Sequence, residues 1–138
     1  MILIDTNVIS ELMRREPAPV VLEWFARQDS RALHISAVVE AELRRGVSIL
    51  PMGQRRTRLM DEINAMIVED FAGRVLPFDS AAAAPFAAIF ADRRSAGRPI
   101  SYPDCQIAAI TRMHNARLAT RNVDDFEDCG IEIVNPWE

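Results

Sequence analysis

A chain of 138 residues with 49% hydrophobic and 26% charged residues is long enough for one domain with a real hydrophobic core, and its composition excludes disorder. A net charge of −4 argues against a generally basic nucleic-acid binder, although several acids gathered at one metal site would distort that inference. No apolar run approaches the roughly 18 residues of a membrane span. The start, MILIDTN, has no basic segment and meets an acid at position 5, so no signal peptide is expected there. A cytoplasmic setting with Cys105 and Cys129 as reduced thiols is therefore expected, and no zinc site.

Short apolar strands alternate with longer helices along the chain, the pattern of an α/β fold with a mainly parallel sheet. Ile2-Leu3-Ile4 reads as a buried strand, followed at once by Asp5 and then a short helix from Asn7 to about Arg14. Pro17 and Pro19 mark a break and a second helix to about Gln28, with Val20, Val21, Trp24 and Phe25 on one face. Residues 32–36 form a second strand, and Ser36 caps a helix through about Leu50. Residues 54–71 read as one long helix ended by Gly73. Residues 75–78 are a third strand, and Asp79 or Ser80 caps an Ala-rich helix over 81–96, with Pro85 early enough to be tolerated. A helix from Ser101 to about His114, a strand over 118–120 and a fifth strand over 131–134 complete the chain, giving about five strands flanked by helices in one domain over 1–138.

Among the 20 acidic residues, a few stand in unusual places. Asp5 follows a buried strand, and ligands in open α/β sheets sit beyond the carboxyl ends of strands. Glu42 has Val38, Val39, Gly46 and Ile49 as same-face neighbours, which puts it on or beside a buried stripe, with Gly46 leaving room for a close approach. Glu40 pairs instead with Arg44 at i+4. The plain alternative for Glu42 is an edge position paired with an Arg. Asp104 lies in the first turn of an almost wholly apolar helix, three residues after Ser101; a capping arrangement also explains an acid there. Asn122, Asp124 and Asp125 follow the fourth strand, where a solvated loop is the alternative. Jointly these positions face one side of a parallel sheet. Three or four carboxylate or amide oxygens without His or Cys point to Mg²⁺ or Mn²⁺, and such a site suits phosphodiester hydrolysis.

At these residues the chain resembles a PIN-domain ribonuclease, specifically a VapC-type toxin of a bacterial toxin–antitoxin pair. The resemblance is carried by MILIDTNVISEL at 1–12, SAVVEAELRRG at 36–46, AGRPIS at 96–101, PDCQIAA at 103–109, LATRNVDDF at 118–126 and VNPW at 134–137. It implies a Mg²⁺-dependent endoribonuclease, with Mn²⁺ able to substitute, and Asp5, Glu42 and Asp104 as the acidic triad. The fourth acidic position falls on Asn122, where many relatives have Asp; Asp124 or Asp125 are the candidates to compensate. Thr6, Asn7 and Thr120 match the small polar positions that support the site. The resemblance further implies an RNA substrate, a cognate antitoxin, a homodimer, and contact with DNA only through the antitoxin.

All 16 basic residues are Arg, clustered at 14–15, 44–45, 55–58 and 93–98. Some are candidates to hold RNA phosphates beside the acids; the alternative is solvated helix faces. Tyr102 is the one candidate for stacking a base. His34, His114 and Cys105 read as structural. The apolar face of the second helix is either a docking surface or core. Two other readings compete: a catalytically weak binding module on the same scaffold, favoured by Asn122, and a haloacid-dehalogenase-like phosphatase, disfavoured by Asn7 at its second Asp position and by the absence of Lys.

Overall fold

The computed structural model describes residues 1–138. Five parallel strands lie in the order β3-β2-β1-β4-β5, and six helices flank them. The strands are β1 (Ile2–Ile4), β2 (Leu33–Ser36), β3 (Val75–Leu76), β4 (Arg117–Ala119) and β5 (Glu132–Val134). The helices are α1 (Thr6–Leu12), α2 (Pro19–Ala26), α3 (Ala37–Ser48), α4 (Gln54–Ala65), α5 (Ser80–Ser95) and α6 (Tyr102–Met113). All three residues of β1 are buried, as a central parallel strand requires. In α6 the run from Ile107 to Thr111 is buried without a break, so that the middle of this helix has no solvent face.

Strand order sets the site. From β1 the chain steps outward through β2 to β3, then returns across to pair β4 with the other side of β1. The connections leaving β1 and β4 therefore part in opposite directions above their carboxyl ends. That opening is the topological switch point of a parallel sheet, where ligands bind. Ile4 pairs with Ala119, which sets the next residues, Asp5 and Thr120, side by side at its mouth.

Three expectations need correction, and one about Pro85 holds. The helix read over 54–71 is α-helical only to Ala65; residues 66–70 widen into a π turn, with Phe71 N–H donating to the Met66 carbonyl at 2.9 Å. The extra residue rotates Phe71 into the core, where it is 5% exposed. β3 stops at Leu76 because Pro77 has no N–H for the ladder. Pro85 sits in the second turn of α5. The Ala81 carbonyl that loses its partner is on an exposed residue, so water can satisfy it. On α2, Val21 and Trp24 are buried in the core while Val20 and Leu22 face solvent; the apolar face read as one surface is split between core and exterior.

Both cysteines are buried free thiols. Burial pushes Cys105 up to about 11 and raises Cys129 as well, so neither is a ready nucleophile. His34 Nδ1 lies 3.1 Å from the Ala32 carbonyl, and His114 caps the end of α6. No helix is long and apolar enough to cross a membrane.

Candidate active site

Asp5 is the N-cap of α1. Its Oδ1 accepts from Thr6 N–H at 2.8 Å, and its own N–H donates to the Ala119 carbonyl at 2.9 Å, tying the end of β1 to the end of β4. Its Oδ2 accepts from the Thr120 hydroxyl at 2.7 Å and from the Asn7 amide at 3.2 Å. Thr120 in turn accepts from Asn7 Nδ2 at 3.2 Å and from Asn122 N–H at 3.1 Å, and Asn7 Oδ1 accepts from Arg121 N–H at 3.1 Å. Asp5 is thus locked by four donors and acceptors drawn from both strand ends. Trp137, from the closing VNPW, covers the Arg121 guanidinium at 4.9 Å and steadies the same corner.

Glu42 stands at the edge of the buried stripe of α3, not within it: Leu43 and Val47 are buried, whereas Ile49 is exposed. No Arg pairs with it. Its Oε1 accepts from the Thr6 hydroxyl at 2.7 Å, so Thr6 bridges Asp5 and Glu42. A Cβ on Gly46 would meet nothing within 4 Å; the expected close approach of another element does not occur. The Glu40–Arg44 pair is present at 2.8 Å, with Arg44 also donating to Asn64.

Asp104 is presented by the first turn of α6, whose N-cap is Ser101; the Ser101 hydroxyl oxygen accepts from Asp104 N–H at 3.3 Å. The capping arrangement is present, and it leaves the carboxylate under the charges of Asp5, Asp125 and Glu42. Burial, then the charge of Asp5, push the Asp104 carboxyl up to about 6, with Asp125 and Glu42 adding to the rise and Ser101 opposing it. Burial also raises Asp5, against the hydrogen bonds from Thr120 and Thr6, and Glu42 raises it further. Three carboxylates therefore repel one another at the sheet's edge, and none forms an ion pair. A cluster of this kind is costly until a cation offsets it. All its donors are hard oxygens, which fits a divalent cation such as Mg²⁺. The side chains do not stand as a ready-made cage: no set of three acidic, His or Cys side chains is drawn to ligating spacing.

The fourth corner is looser. Asn122, Asp124 and Asp125 are all exposed; Asn122 is engaged through its backbone, and residues 123–126 form a 3₁₀ turn. Of the two aspartates, Asp125 is the one whose charge acts on Asp104.

Two residues hold the segments around this site in ways the sequence does not mark, one of them passed over there and the other read differently. Glu11 is 6% exposed; its carboxylate accepts from Ala18 N–H at 3.0 Å and pairs with Arg14 at 3.2 Å, fastening the loop between α1 and α2. The Ala18 hydrogen bond, then Arg14, hold it below the usual carboxylate range. Arg93, read as a candidate phosphate binder, is 5% exposed and turned inward. It donates to the Arg98 carbonyl at 2.7 Å and to the Asp125 and Glu127 carbonyls at 2.8 and 3.0 Å. Arg98 pairs with Glu127 and Asp128 on the same loop. Tyr102, by contrast, is exposed, and rests against Phe86 and Phe90 with ring centroids 6.2 and 5.7 Å away.

The PIN-domain family model matches residues 2–131. The chain belongs to the PIN-domain family. Within it, the chain is 42% identical over 138 residues to "VapC ribonuclease Y4jK" of Sinorhizobium fredii, covering 100% of this chain and 99% of that protein. It is 38% identical over 137 residues to "Toxin FitB" of Neisseria gonorrhoeae, covering 99% of each. The structure of FitAB bound to an IR36 DNA fragment superposes with a TM-score of 0.94 at 37% identity, over 100% of this chain and 96% of that one. The PIN-domain match sets aside the phosphatase reading.

A pH dependence follows for the PIN domain without divalent metal. The folded Asp104 carboxyl titrates near 6 against 3.8 in its ordinary state. Between those values the folded state binds the extra proton, so stability falls as pH rises from about 4 to about 6 and then levels. A shift of about two units corresponds to ~3 kcal/mol, which solvent screening at this half-open position reduces to about 1 kcal/mol. Asp104→Asn is expected to abolish most of that slope and to exceed wild type in melting temperature above pH 6. Melts across pH 4 to 8 in a chelator check this; a parallel slope in the variant assigns the effect elsewhere.

Proposed function

We propose that this chain is a metal-dependent endoribonuclease, using Mg²⁺ with Mn²⁺ as a substitute, and the toxin of a toxin–antitoxin pair. The observation that carries the reading is the convergence of Asp5, Glu42 and Asp104, without a cationic partner, at the switch point between β1 and β4. Asp5, Glu42 and Asp104 would hold the cation, with Asp125 the nearest further acid and Asn122 and Asp124 at the rim. A divalent cation bound there would supply Lewis acidity toward a phosphodiester and toward water. Thr120, Asn7 and Thr6 keep the Asp5 and Glu42 carboxylates in one orientation through hydrogen bonds of 2.7 to 3.2 Å. The names of the relatives, a ribonuclease and a toxin, support the same reading.

The partners that go with it are an RNA substrate, a cognate antitoxin, a second copy of the chain, and DNA through the antitoxin alone. The cytoplasm is the compartment in which these meet. A cleft of about 870 Å³, lined by apolar residues such as Leu12, Met13, Phe25 and Met66 and by charged ones such as Glu62, Asp70 and Arg74, supports the docking of a protein partner. A second reading, a binding module with little catalysis, is favoured by Asn122, which brings no charge to the fourth corner.

The test incubates purified protein with a panel of structured RNAs, first in Mg²⁺, then in a chelator, then with Mg²⁺ restored. Cleavage that disappears and returns is the expected result. Cleavage indifferent to the chelator removes the metal from the account, and intact RNA throughout favours the binding module.

A further inference from the structure

The structure sorts the arginines into those with protein partners and those without. Arg31, Arg44 and Arg98 are held by Asp29, Glu40 and the Glu127–Asp128 pair, and Arg93 is buried. Beside the acidic centre three remain. A single cleft of about 530 Å³ is lined by Thr6 and Glu42 of the acidic centre together with Arg15, Arg55 and Arg58. Arg15 follows the end of α1, and Arg55 and Arg58 share one face of α4. All three are exposed and none forms an ion pair. Arg14 also lines the cleft but is engaged by Glu11; Glu16 is the one acid there besides Glu42. Three free guanidiniums against Glu16 leave a surplus of positive charge in the cleft that Glu42 also lines.

The cleft also has an apolar lining: Leu43, Val47, Leu59 and Ile63. Such a lining supports the aliphatic stems of arginines and lowers the local dielectric, which strengthens their charges. Gly46 lines the same cleft, and its open surroundings keep the passage clear. An arginine fork matches phosphate oxygens in pairs.

We infer that this cleft is the track that holds the sugar-phosphate backbone of a single-stranded RNA to one side of the scissile bond, with Arg15, Arg55 and Arg58 gripping its phosphates. The inference rests on the reading of the acidic centre as a ribonuclease. A single strand is assigned because the arginines come from two elements around one cleft, the end of α1 and α4, and not from one helix face. Glu42 lines the same cleft, so a strand held there lies beside the acids.

The test measures binding of a fluorescent single-stranded RNA oligonucleotide across a salt series, in an Asp5→Asn background that keeps the strand intact. Adding Arg55→Gln and Arg58→Gln is expected to weaken binding and to reduce the slope of log affinity against log salt by about 1.4, at roughly 0.7 for each phosphate no longer neutralised. Adding Arg27→Gln and Arg94→Gln, exposed arginines outside the cleft, removes equal charge and should leave the slope unchanged. Equal slopes in the two double variants overturn the inference. So does a polyglutamate peptide that binds as tightly as the RNA and loses affinity in parallel, because the cleft would then read negative charge alone. Cleavage of RNA by the Asp5→Asn background counts against the reading of the acidic centre as anchored on Asp5 and is distinguishable from either result.

Discussion

Replacing Asp5 by Asn is expected to abolish RNA cleavage while leaving a protein at least as stable as wild type. Asp5 is 4% exposed and its carboxyl is raised chiefly by burial, so the ionised form is strained in the folded state without a cation. Asn keeps one oxygen that can accept from Thr6 N–H at the cap, its amide NH2 then faces the Thr120 hydroxyl, which can accept in turn, and the charge is removed. Loss of a supporting residue around a metal costs roughly 10- to 100-fold in activity; loss of the charge at its anchor should exceed that range. Thermal melts in a chelator should show the variant equal to or above wild type. A variant that is inactive only because it unfolds would contradict this account of Asp5.

Arg93→Ala carries the largest expected cost in stability, about 3 kcal/mol, or roughly 10 °C in melting temperature for a domain of this size. The guanidinium bonds three backbone carbonyls from two loops, at Arg98, Asp125 and Glu127. Its removal takes the guanidinium donor from all three carbonyls and frees the loop that carries Asp125 past Asp104. Arg93→Lys retains the charge but not the fork, and should recover only part of the loss. Limited proteolysis within 121–130 reads the loop directly. A melting temperature within a degree or two of wild type would show that the loop is held by something else.

These two residues also mark what is readable from sequence. Asp5 announces itself: an acid directly after Ile2-Leu3-Ile4 has few places to go but the end of a parallel strand. Glu42 and Asp104 follow from helical spacing and from the Ser101 cap, because local pattern determines which face a side chain occupies. The five parallel strands were legible from the alternation of short apolar runs with helices. Their order was not, since the pairing of β1 with both β2 and β4 is a long-range contact that no window of sequence contains. Arg93 illustrates the same limit. In sequence it is one of a run of surface-like arginines; its role depends on carbonyls more than thirty residues away. Glu11 was obscured for another reason: its partner is a backbone N–H at Ala18, and backbone donors leave no mark in residue identity. The widening of the helix after Ala65 was likewise invisible, because the apolar spacing of Ile63, Met66 and Ile67 fits an α-helix equally well.

The cluster of acids is the centre of the proposed chemistry, and its most direct test sets wild type and Asp5→Asn side by side on one RNA in Mg²⁺, with cleavage products resolved by gel. Discrete products are expected from wild type, none from the variant, and none from either in a chelator. Equal cleavage by the two proteins would contradict a metal site anchored on Asp5.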